Sequence, residues 1–113
     1  MRRIYDEKVE GIAIDEQTRC EHYHSELDII AIKFKCCDRW FPCFKCHAAI
    51  AGHAAAVWPT EEFARQAVLC GSCGHQLTVS EYLHSGSVCT SCGSRFNPGC
   101  AAHYHLYFEK AER

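Results

Sequence analysis

The sequence predicts one small α+β domain of short strands and short helices that cannot support one another without staples. Three observations lead there. The 113 residues include ten cysteines and eight histidines, so about one residue in six can ligate a metal. The apolar stretches are brief and broken by turn residues, and a chain of this length buries only a thin core, so small domains often add cross-links. Finally, two C-x2-C-G runs, "CGSCG" (Cys70–Gly74) and "CTSCG" (Cys89–Gly93), stand fifteen residues apart. That spacing is the zinc-ribbon pattern. The staples are therefore expected to be metal ions, and the fold class is a small metal-stapled α+β domain with a C-terminal zinc-ribbon-like pair of knuckles that together hold four cysteines.

The elements follow in order. Residues 1–19 form a polar, strand-like lead-in with an alternating patch, "VEGIAID" (Val9–Asp15), where Gly11 leaves room for a bulge or turn. "LDIIAIKFK" (Leu27–Lys35) alternates Ile30, Ile32 and Phe34 with Ala31, Lys33 and Lys35, which predicts a strand with one buried face. The alanine-rich "CHAAIAGHAAAVWP" predicts a short helix that runs past Gly52 and stops before Pro59. "PTEEFARQAVL" predicts a second, with Thr60 as its N-cap, and "SEYLHSG" a third, with Ser80 as cap and Gly86 as stop. "HYHLYFE" reads as a closing strand.

The cysteines are read as metal ligands because nothing points to an oxidising compartment. The N-terminal residues contain no apolar stretch of the kind a signal peptide needs, and no apolar run is long enough to cross a membrane. The expected location is therefore the cytoplasm, where dense thiols at short spacings hold metal. In the knuckle pair, Cys70, Cys73, Cys89 and Cys92 supply four thiolates to one tetrahedral ion. Two residues between thiols let the chain turn so that both sulfurs reach it, and Gly74 and Gly93 follow where a positive φ is wanted.

A second set comprises Cys20, His22, Cys36, Cys37, Cys43, Cys46, His47 and His53, enough for two four-coordinate ions. Neighbours in an extended chain point opposite ways, which separates Cys36 from Cys37 and Cys46 from His47. The C-x2-C pair Cys43/Cys46 should share an ion. The simplest partition gives Cys43, Cys46, one of the twin cysteines and His53 to one ion, and Cys20, His22, the other twin and His47 to the other. Cys100, His103 and His105 offer three more donors, which either begin a fourth site, replace a member of the second set, or leave Cys100 as a packed thiol. His24, His75 and His84 have no local partners and read as surface residues.

The run "TRCEHYHSELDIIAIKFKCC…PC…CH…H…WP…EF…AVLCGSCGHQLTVSEYL…C…CGSRFNPGC…H" resembles the CHY-type zinc finger family, from about Gly11 to Glu109. The resemblance implies a single domain over residues 1–113, with two zinc ions in 20–69 and a third in 70–109. Carried over position by position, it implies the same twelve ligands. The family usually places an acidic residue soon after its "CH"; Ala48–Ala51 supply none here. In one group of eukaryotic relatives the module precedes a RING finger, which does not follow here. Another relative is a small fungal protein of the mitochondrial intermembrane space that helps assemble small translocase chaperones, keeping their cysteines free of zinc. This chain is similar to it in size and layout, and it also resembles the stand-alone bacterial members of the family.

Formal charge is −2. Nine ligand thiolates and three Zn²⁺ take it to about −5, because ligand thiols must be deprotonated. That argues against a nucleic-acid-binding zinc ribbon, which needs a basic footprint. Closed four-ligand sites leave no position for a water, so no catalysis is expected. A redox role for a C-x2-C pair would need an exposed thiol free of metal. Iron in the all-cysteine site is an alternative to zinc. The expected function is a non-catalytic zinc module that binds a protein partner, with Trp40, Phe41, Phe44 and Trp58 as candidate contact residues unless they pack around the ions. The alternative is a zinc- or thiol-handling assembly factor.

Overall fold

The computed structural model describes residues 2–5, 7–96 and 107–108. These residues form an α+β fold around a six-stranded sheet. In chain order the elements are β1 (Arg2–Ile4), β2 (Glu7–Val9), β3 (Ile30–Lys33), β4 (Trp40–Phe41), α1 (Phe44–Ile50), a 3₁₀ turn (Thr60–Glu62), β5 (Gln66–Cys70), β6 (Gln76–Thr78) and α2 (Val79–Leu83). The sheet order is β1-β2-β4-β3-β5-β6. Within the sheet, the β2–β4 contact at Val9 and Trp40 is parallel. The other strand pairings are antiparallel, with β3 set against β5 so that Ile30 faces Cys70 and Ile32 faces Val68.

The strand expected over Leu27–Lys35 is present at its centre, but it buries both faces. Ile30 and Ile32 join the main core, while Ala31 joins a second cluster with Ile4, Val9, Trp40 and Leu69. The N-terminal hairpin supplies part of that second cover. The main core is dominated by aromatic rings: Phe34, Phe41, Trp58, Tyr82, Phe96 and Phe108 are all buried. It is continuous with the cysteines, since Cys20, Cys43, Cys46, Cys70 and Cys89 belong to it. The metal-ligand sets therefore sit on the margin of an apolar interior instead of replacing one.

The helices depart from expectation in instructive ways. The first begins at Phe44 with Cys43 as N-cap and ends at Ala51, whose N–H donates to the His47 carbonyl. Gly52 follows at φ +76°, the left-handed conformation that terminates helices, and residues 54–57 are not helical despite three alanines. The expected second helix shrinks to one 3₁₀ turn with Pro59, not Thr60, at its N-cap. "QAVLC" then runs as β5, because a buried central strand wants the apolar residues that also suit a helix. In α2 the cap is Thr78 rather than Ser80. Its side chain accepts from the Glu81 N–H while Glu81 accepts from the Thr78 N–H, a complete capping box. Of the closing strand, Phe108 bridges Trp58 in parallel; most of "HYHLYFE", including His103 and His105, lies outside the described residues, as does Cys100.

Candidate metal centres

All twelve predicted ligands come together, in three sets of four. They are Cys20/His22/Cys43/Cys46, Cys36/Cys37/His47/His53 and Cys70/Cys73/Cys89/Cys92, and within each set the donor atoms lie within 4.8 Å of one another. The nine cysteines involved are unbridged. The separations suit an ion. A tetrahedral zinc with Zn–S of about 2.3 Å and Zn–N of about 2.0–2.1 Å spaces its donors by about 3.4–3.8 Å.

The first set matches that spacing. Cys20 Sγ is 3.6 Å from Cys43 Sγ, and His22 Nδ1 is 3.4 Å from both Cys43 Sγ and Cys46 Sγ. Cys43 sits at the helix N-cap and accepts the Cys46 N–H, while Ile12 N–H donates to Cys46 Sγ. Cys20 and His22 are held by a tight loop in which the Cys20 N–H donates to the Tyr23 carbonyl. The charges show what such a cluster needs. The Cys43 and Cys46 thiols donate to Cys20 and pull it down to about 2, while Cys43 is itself pushed far up by Cys20, Cys46 and burial. Thiols crowded in this way oppose one another's ionisation, and a divalent cation removes that opposition.

The second set corrects the partition expected from sequence. Cys36 and Cys37 serve one ion, with sulfurs 3.8 Å apart. The rule that neighbours diverge fails because they lie in a turn, where the Cys37 and Asp38 N–H groups both donate to the Phe34 carbonyl. His53 belongs with them, its Nε2 3.2 Å from Cys36 Sγ, and not with Cys43 and Cys46. His47 Nε2 is also 3.2 Å from Cys36 Sγ. Cys46 and His47 do separate, because consecutive helical residues diverge by about 100°, so α1 contributes to two sets. Burial, then the charges of His53 and Arg39, lower the pKa of His47, which favours the neutral ring that a metal ligand must present.

The third set is built from two copies of one knuckle. In each, the first cysteine's carbonyl accepts from the glycine that follows the second cysteine: Gly74 N–H to Cys70 at 2.9 Å, Gly93 N–H to Cys89 at 3.0 Å. In each, the serine between the cysteines donates its N–H to the first sulfur, Ser72 to Cys70 and Ser91 to Cys89. Gly74 and Gly93 adopt φ of +85° and +79°. Cys70 Sγ is 3.9 Å from Cys92 Sγ, and Cys73 Sγ is 3.7 Å from Cys89 Sγ. The Ser94 hydroxyl and backbone beside exposed Cys92 pull its thiol down to about 6.

Sequence reasoning missed the supports. Phe34 stacks on the His47 ring at 4.3 Å, and the Tyr5 hydroxyl in the N-terminal turn donates to the Ser72 carbonyl. Neither residue stands in a ligand motif. Of the candidate contact aromatics, Trp40, Phe41 and Trp58 are buried and Phe44 is half-buried, so they pack inside. Trp58 Nε1 donates to the Lys33 carbonyl at 2.6 Å. His24 and His84 are exposed and His75 is half-buried.

The model for the CHY zinc finger matches residues 20–104. The chain is similar to Helper of Tim protein 13 of Saccharomyces cerevisiae, at 43% identity over 88% of each chain. It is also similar to Helper of Tim protein 13 of Kluyveromyces lactis, at 37% identity over 91% of this chain and 90% of that one. An uncharacterized protein of Schizosaccharomyces pombe aligns at 40% identity over 91% of this chain and 90% of its own. Two of these relatives carry the name Helper of Tim protein 13, and that finding overturns the cytoplasmic expectation. The expectation rested on the lack of an apolar signal stretch near the N-terminus, and such a stretch marks only the secretory route.

Proposed function

Because the chain belongs to the CHY zinc finger family, we propose that it is a three-zinc, non-catalytic helper whose clients are cysteine-bearing proteins of the Tim kind named in its relatives. On this reading its compartment is the mitochondrial intermembrane space. The observation that carries the reading is the near end-to-end alignment with two proteins called Helper of Tim protein 13. Each set offers a four-coordinate ion four protein donors, which leaves no resting position for an activated water. The twelve matched residues would hold the ions. The zinc supplies structural cross-linking and sites at which thiolates can exchange. Burial of Trp40, Phe41 and Trp58 takes an aromatic contact patch out of the account.

The test is to express the chain in Saccharomyces cerevisiae lacking its Helper of Tim protein 13. Restored assembly of the Tim client is expected. Zinc-loaded chain, present in the intermembrane space yet unable to restore assembly or to co-purify with the client, would overturn the reading.

A further inference from the structure

We propose that the Cys36/Cys37/His47/His53 centre is a ligand-exchange site, in which His53 is a detachable fourth ligand and its position takes the thiolate of a cysteine on an uncharged stretch of a partner polypeptide. The three sets are not built alike. The first has three buried cysteines and a histidine tied into a short loop, and the third has three of its four sulfurs braced by backbone N–H groups, with exposed Cys92 bonded to the Ser94 hydroxyl. In the second, three donors are seated and one is not. Cys36 and Cys37 share a hydrogen-bonded turn, and His47 is buried between Phe34 and Phe41. His53 is exposed and lies on a segment with no regular structure. Between Ala51 and Trp58 no backbone hydrogen bond is made among the described residues. The arm starts at Gly52, at φ +76°, where no atom of the described residues lies within 4 Å of where a side chain would begin. Among the described residues the His53 ring meets only the His47 ring, edge to face at 5.0 Å, besides Cys36 Sγ, so a ligand on such an arm leaves at little cost.

The surroundings choose the newcomer. The arm and the end of α1 carry no charge from Ala48 to Val57 apart from the ligand itself. Ile50 and Val57 are 39% and 37% exposed, and Ala54, Ala55 and Ala56 are exposed between them. An uncharged peptide meets no desolvated charge there, and a thiolate is a softer and stronger donor to zinc than imidazole. In the exchange, the bond from His53 Nε2 to the metal breaks and one from the partner's Sγ forms. The thiol proton passes to water, and nothing is oxidised or reduced.

The proposal rests on the helper reading only for who the partner is, and it can be tested without that partner. Chain carrying three metal ions, verified by native mass spectrometry, is mixed with a chromophoric chelator in a stopped-flow instrument. One ion should leave at least about tenfold faster than the other two, the scale on which supporting contacts tune metal affinity. His53→Cys should move that ion into the slow phase, and His53→Ala should hasten its loss while leaving the other two unchanged. With cadmium-113 in place of zinc, the resonance of the two-sulfur, two-nitrogen site should vanish first. It should shift toward a three-sulfur position on adding the peptide acetyl-Ala-Ala-Cys-Ala-Ala-amide, and not with serine in place of cysteine. A single release phase, a fast ion from another set, or equal responses to the two peptides would overturn the proposal. Exchange as described in a chain that cannot help a Tim client would retain this site and discard the helper reading.

Discussion

Glu10 and Arg39 form a fork of two hydrogen bonds, 2.7 and 2.8 Å long, beside the turn that carries Cys36 and Cys37. The Arg39 hydrogen bond holds the Glu10 carboxyl below the usual carboxylate range, against the opposing effect of burial. A carboxylate depressed in the folded state adds stability above its ordinary pKa and loses it as pH falls through the folded value. Glu10→Gln should therefore cost about 0.2–1 kcal/mol near pH 7, the range of partly exposed pairs. The gap from the parent should close as the medium is acidified below the carboxylate range. Denaturant titrations of both zinc-loaded proteins check the cost at pH 7, and the narrowing of the gap is followed downward in pH for as long as native mass spectrometry shows three ions bound. Gly71 tests space instead of charge. A Cβ there would stand 2.2 Å from the Gln17 carbonyl oxygen and 2.8 Å from that of Ile29, both backbone atoms that cannot step aside. Gly71→Ala should lose about 3 kcal/mol, the upper end for overpacking, read as a lowered melting temperature.

Among the elements, α2 depends most on its ends, because five residues cannot form a stable helix by propensity alone. Thr78→Ala removes the capping box and should cost about 1 kcal/mol, while Ser80→Ala should cost little; thermal melts of the two variants separate them. This is also the scale at which the sequence was least legible. The knuckle pair could be read outright because its geometry is local: four cysteines, two glycines and the spacing between them determine it. The grouping of the other eight donors could not, because it turns on a tight bend at Cys36–Cys37 and on the angular phase of α1. "QAVL" read as helix because the acidic residues after Pro59 imitate a helix start. Only the neighbouring strands β3 and β6 make it a strand. Ala31 concealed the second buried face of β3, since a small residue carries little hydrophobic signal.

For the whole molecule, structural zinc contributes on the order of 10–16 kcal/mol of apparent binding energy per site, against about 5–15 kcal/mol of net stability for a domain. Chelation of all three ions should abolish the cooperative melt and collapse the dispersion of the amide NMR spectrum, and re-addition of zinc should restore both. Retention of dispersion without metal would mean that the aromatic core suffices. The core and the ligand sets are continuous at five cysteines, so their losses should coincide in one transition.

One turn of α1 carries both Cys46 and His47, and these neighbours serve different ions. Whichever cation arrives first must fix that turn in helical form, and the second then finds its donor already aimed. Occupancy of the two sites is thereby linked through a single peptide unit. Zinc returned to empty chain should therefore fill the second of these two sites faster than the first, whichever ion is then quicker to leave.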